Sequence, residues 1–85
     1  MKPRRLLRRL QEAENANVRF SDLVRLMEAC GFELKRTRGS HHVFAHPELT
    51  VILNLQEVRG QAKPYQVRQV ARTIIDHGLT IEGSL

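Results

Sequence analysis

The sequence predicts an α+β domain: an extra N-terminal helix, then the order α-β-β-β-α, with a three-stranded antiparallel sheet carrying its helices on one face. Three observations predict it. Two segments, 22–30 and 64–77, each place apolar residues at i, i+3, i+4 and i+7, the stripe of a one-sided helix. Between them, short runs alternate apolar and polar residues with period two, separated by the turn signals Arg38-Gly39-Ser40 and Pro47-Glu48. At 85 residues the chain has room for one thin core and no second domain.

Each element follows from local pattern. Residues 3–14 read as a helix. Pro3 suits its first turn, Leu6, Leu10 and Ala13 share one face, and Arg8 and Glu12 form an i, i+4 pair. Ser21 is a natural N-cap for the next helix, whose stripe is Leu23, Leu26, Met27 and Cys30, and Gly31 is its stop. The first strand holds Phe32 and Leu34 against Glu33 and Lys35. The second alternates His42, Phe44 and His46 with His41, Val43 and Ala45. The third is the β-branched run Thr50 to Leu55. Gln56 to Lys63 is polar, contains Gly60 and reads as a loop. Pro64 opens the last helix, with Val67, Val70, Ala71 and Ile74 as its stripe and Gly78 as its end. Residues 1–17 are thus an N-terminal helical extension, 18–78 the main domain and 79–85 a tail without pattern. Leu26, Phe32, Phe44, Val70 and Ile74 should share one core.

Composition narrows the function. Fourteen Lys and Arg against nine Asp and Glu give a formal charge of +5 and a pI near 10.4, which favours a polyanionic partner, nucleic acid first. The single cysteine, Cys30, excludes an internal disulfide. Its place on an apolar stripe reads as a buried thiol. No apolar run approaches the roughly 20 residues of a membrane span. Arg8 and Arg9 interrupt Leu6, Leu7 and Leu10, against a signal peptide. The expected location is the cytoplasm.

Histidine titrates unperturbed near neutrality, at about 6.5. Of the four histidines, His41, His42 and His46 fall in one strand. If Phe44 faces the helices, period-two alternation turns His42 and His46 with it and leaves His41 on the open face. There His41 is either a polar strand residue or a general acid–base group. RNA supplies its own nucleophile, the 2′-hydroxyl, so a base that removes its proton permits attack on phosphorus without a metal. Lys35, Arg36 and Arg38 lead into the glycine turn before His41. They are either phosphate-binding charges beside that site or a solvated strand edge guarded against aggregation. His42 and His46 would lie about 13 Å apart in an extended strand, with no carboxylate or second cysteine to complete a ligand set, so no metal is expected. Tyr65 is expected to cap the core edge, and His77 to sit structurally near a helix C-terminus.

The run Gly31-Phe32, Arg38-Gly39-Ser40-His41-His42-Val43-Phe44 and His46-Pro47 resembles the HicA family of bacterial toxins, as do Ile52-Leu53-Asn54-Leu55-Gln56 and Ala62-Lys63-Pro64-Tyr65-Gln66-Val67. The resemblance covers roughly residues 18–77. It implies a fold like the double-stranded RNA-binding domain and an mRNA-cleaving endoribonuclease acting in a toxin–antitoxin system, without a cofactor. It further implies a HicB-like antitoxin partner and His41 as the catalytic residue. From their charge and the glycine turn, Lys35, Arg36, Arg38, Gly39, Ser40 and Lys63 are the residues expected to bind RNA. Residues 1–17 have no counterpart in typical members. Two other readings stand beside it: a non-catalytic RNA-binding module of the same fold, and an interaction protein with an acidic partner. His42, His46, Lys35 and Arg38 remain open as a second acid–base group.

Overall fold

A computed structural model describes residues 1–12 and 17–81. It contains α1 (Pro3–Glu12), β1 (Val18–Arg19), α2 (Phe20–Ala29), β2 (Glu33–Arg38), β3 (His41–Ala45), β4 (Ile52–Val58), β5 (Gln61–Ala62) and α3 (Pro64–Asp76). The predicted end of the first helix, at Ala13 and Glu14, lies outside the described residues, as does the tail from 82 onward.

The sheet has five antiparallel strands in the order β1-β5-β4-β3-β2, not the three expected. The two additions are two residues each. The presumed loop 56–63 is a hairpin. β4 continues to Val58, Arg59-Gly60 forms a two-residue turn, and β5 returns with Val58 opposite Gln61. Both turn residues have left-handed φ, 52° at Arg59 and 77° at Gly60. That is the backbone a tight hairpin of right-twisted strands requires. Val18 and Ala62, paired across β1 and β5, are buried and fix this edge to the core.

α2 starts two residues earlier than Ser21 would set it. Arg19 is the N-cap and makes no side-chain cap bond. The Phe20 amide instead donates to Gly60 O at 2.9 Å, so the β5 hairpin supplies an acceptor the cap does not. Phe20 is buried, which draws the start of the helix onto the core. Both later helices end as predicted, at glycine. Gly31 (φ 100°) and Gly78 (φ 59°) follow the last turns. The amides of Phe32 and Leu79 reach back to Met27 O and Ile74 O, closing the paired bonds of a left-handed helix stop.

Leu26, Phe32, Phe44, Val70 and Ile74 belong to one buried cluster, joined by Leu53 and Leu55 from β4. One sheet face therefore carries the helices. α1 packs on both α2 and α3 through Leu6 and Leu10, each wholly buried. The expected Arg8–Glu12 ion pair does not form. Leu79 and Ile81 pack partly against the core, so the start of the tail is anchored. Tyr65, expected at the core edge, is 54% exposed: as the second residue of α3 it projects from the helix start while Gln66 and Val67 turn inward.

Candidate nucleic-acid site

Strand parity places His41. Phe44 is fully buried and pairs with Leu34 and Leu53 on the helix-covered face. Three residues earlier, His41 therefore projects from the opposite face, where it is exposed. Its register partners are Arg38 on β2 and Gln56 on β4. Directly paired residues hold their Cβ atoms about 5 Å apart, so an arginine and an amide flank the imidazole. The next row on this face is Arg36, Val43 and Asn54.

The arginines reach this face through an irregularity. The register passes from Leu34↔Phe44 to Arg36↔Val43, leaving Lys35 as an extra residue. Without that bulge, Arg36 and Arg38 would follow Leu34 onto the helix face. With it, Arg36, Arg38 and His41 share one face, and every residue of β2 is exposed. The Lys35 ammonium lies 2.7 Å from the Glu33 carboxylate. That hydrogen bond, and the charge behind it, hold the Glu33 carboxyl below its ordinary value.

The turn is a tight hairpin. Gly39 has φ 59°, as the first central residue of a two-residue loop with Ser40. A side chain there would meet no atom within 4 Å, so the space beside His41 is open. Ser40 O accepts the Glu57 amide at 3.0 Å, and the His42 Nδ1–H donates to the same oxygen at 3.0 Å. The turn is thereby tied to β4 and to the strand it opens.

The other histidines are occupied elsewhere. His42 faces the helices, half-buried, with its ring 4.7 Å from that of Phe20 and tilted by 50°. His46 is buried: its Nδ1 accepts the Glu48 amide at 3.1 Å and its Nε2–H donates to Cys30 O at 3.1 Å. Its ring lies edge-on to Phe32 at 5.2 Å. With both nitrogens engaged, His46 is a structural tie between β3 and the end of α2. The His77 Nδ1–H donates to Thr73 O at 3.0 Å at the end of α3. The Cys30 thiol is buried. Among the described residues, no three His, Cys, Asp or Glu side chains converge as a metal site.

Lys63 does not join the His41 group. It is the N-cap of α3, half-buried, two strand spacings (about 10 Å) from β3 across β4. It lines a concavity of ≈ 620 Å³ with Asn17, Val58, Gln61, Ala62 and Pro64, and His41 is not part of it. The imidazole stands on an exposed strand face beside an open turn, a geometry suited to a polymer rather than an enclosed small molecule.

Two residues of the site escaped the sequence reading. Gln56 falls in the segment 56–63 that reads as a loop, although the alternation of Leu53 and Leu55 with Asn54 carries one step further and reaches it. Gln66, buried in the first turn of α3, accepts the Gln56 amide at 2.9 Å and donates to Asn54 O at 3.2 Å. Its carboxamide replaces a neighbouring strand on that edge of β4 and fixes the segment that presents Gln56. No sequence signal separates such a glutamine from a solvated one.

Among the described residues, no helix is long and apolar enough to cross a membrane. No curated protein and no solved structure matches the chain. The family model for the HicA toxin of bacterial toxin–antitoxin systems matches residues 20–75, from the first residue of α2 to the last turn of α3. That span holds the hairpin, the histidine and the strands that flank it, and the chain belongs to the HicA toxin family.

Proposed function

We propose that this toxin is a cytoplasmic endoribonuclease that cuts mRNA, with His41 as the group that moves the proton. The observation that carries the reading is the row Arg38–His41–Gln56 on an exposed sheet face, with Arg36 and Lys35 beside it. His41 accepts the proton of a substrate 2′-hydroxyl. The freed oxygen attacks the adjacent phosphorus as the bond from phosphorus to the 5′-oxygen breaks. The products are a 2′,3′-cyclic phosphate and a 5′-hydroxyl. Arg38 and Arg36 bear on the phosphorane charge, and a guanidinium fits two phosphate oxygens at once. Gln56 is placed to orient the phosphodiester. Gly39 and Ser40 leave room for the RNA backbone, and Lys63, beyond β4 from the hairpin, is a further phosphate contact for RNA long enough to reach it. The nucleophile belongs to the substrate, so the reaction calls for neither metal nor cofactor.

One observation favours a second reading, a non-catalytic RNA-binding module. His41 is the sole histidine on the open face of β2, β3 and β4, so the departing 5′-oxygen must take its proton from solvent or from His41 itself. In either case a HicB-like antitoxin is the expected inhibitor, covering the open face and setting acidic groups against Lys35, Arg36 and Arg38.

The deciding experiment is cleavage of single-stranded RNA by the purified wild type and His41→Ala in EDTA. The expected result is a 2′,3′-cyclic phosphate product and a loss of about 10²–10⁴-fold in the variant, the usual worth of a positioned acid–base group. Equal rates would reject His41 and leave the binding module.

A further inference from the structure

The excess positive charge of this protein is concentrated in its first twelve residues. Residues 1–12 hold Lys2, Arg4, Arg5, Arg8 and Arg9 against Glu12 alone, a formal +4 of the whole chain's +5. The remaining nine basic residues face eight acidic ones. α1 packs on α2 and α3, the layer covering the opposite side of the sheet from His41. Leu6 and Leu10 fix it there, while Arg4, Arg5, Arg8 and Arg9 are all exposed.

This placement works against the helix. Arg4 with Arg8 and Arg5 with Arg9 are like charges at i, i+4, a spacing at which they repel. Arg4 and Arg5 lie in the first turn, where the helix dipole disfavours cations, and no acidic residue offsets them there. Among the described residues, Arg4, Arg5 and Arg8 make no ion pair, and Arg9 donates to Asn17 O at 3.1 Å. Folding is served by the two leucines and opposed by the arginines, so the arginines have another use.

We propose that α1 is a second nucleic-acid surface, which grips the sugar–phosphate backbone without regard to sequence and independently of the chemistry at His41. Two rungs of arginine about 6 Å apart along the axis offer four planar forks to successive phosphates. The apolar face of α1 is spent on the core, so no hydrophobic side is left to enter a lipid bilayer.

The test uses the full chain carrying His41→Ala, which removes cleavage, and a labelled 24-nucleotide polyuridine RNA as probe. Binding is titrated at several salt concentrations with and without Arg4→Gln, Arg5→Gln, Arg8→Gln and Arg9→Gln together. The expected result is about tenfold weaker binding near 0.1 M salt and a log–log salt slope shallower by about 2–3, since each lost phosphate contact on single strands removes about 0.7. Thermal melting should show the variant as stable as its parent or more so, because repulsion has been removed. An unchanged slope and affinity would overturn the proposal. So would a loss seen only with phosphatidylglycerol vesicles and not with RNA, which would make α1 a membrane-surface contact.

Discussion

Replacing His42 with alanine separates the two faces of β3. The side chain contributes a tilted ring contact with Phe20 at 4.7 Å and a hydrogen bond to Ser40 O at 3.0 Å. Aromatic pairs of this kind contribute about 0.5–1.5 kcal/mol, and an intramolecular hydrogen bond about the same. Ser40 O keeps the Glu57 amide, so no buried acceptor is orphaned and the hydrogen-bond loss falls at the low end. The sum is about 1–2.5 kcal/mol. In a domain of this size that lowers the melting temperature by about 5–15 °C. His41→Ala removes an exposed side chain and should change stability by less than about 1 kcal/mol. Urea unfolding followed by circular dichroism measures both, and RNA cleavage at a temperature where both variants are folded completes the comparison. His42→Ala should lose stability and retain cleavage, and His41→Ala the reverse. If His41→Ala proved the more destabilising of the two, the strand parity behind the whole site would be wrong.

Deletion of Lys35 should be tolerated, because Leu34 and Arg36 then face Phe44 and Val43 in unbroken register; deletion of Thr37 forces an arginine toward the helices. Melting curves should therefore place the Thr37 deletion well below the Lys35 deletion, and equal melting temperatures would count against the bulge. Glu33→Gln should free the Lys35 ammonium and tighten RNA binding at pH 7 about two- to fivefold, an effect that fades with added salt. Its pH dependence has a definite sign. The folded carboxyl titrates below its ordinary value, so wild-type Glu33 stays charged through the usual carboxylate range. The difference in affinity should therefore persist there and close only as pH falls through the lowered value, as fluorescence anisotropy across pH would show.

Much of this was legible because apolar pattern and burial coincide. The stripes Leu23-Leu26-Met27 and Val67-Val70-Ala71-Ile74 are buried as their spacing requires. Phe44 fixes the parity of its strand, and with it the display of His41. The missed strands β1 and β5 are two residues long, too short to carry a period. Their hairpin turns on Arg59-Gly60, where a left-handed arginine takes a place that asparagine or aspartate usually signals. Ser21 looked like a cap because its side chain could serve as one. The backbone chose Arg19 instead, since burying Phe20 within the helix outweighs about 1 kcal/mol of capping.

The placement of Arg36 and Arg38 could not be read from the sequence for a more particular reason. Phe32 and Leu34 establish an alternation that, carried forward, assigns Arg36 and Arg38 to the helix-side face. For the arginines to stand on the open face instead, the strand must change parity after Leu34, since the only other course is to stop there. Stopping would cut the ladder to β3 and leave the His41 hairpin unsupported. Changing parity requires one unpaired residue, and on an edge strand this residue can be a lysine with its ammonium in water. The bulge at Lys35 is that solution, and its effect reaches past the strand. The same step sets both arginines on the face of His41, one of them directly opposite it.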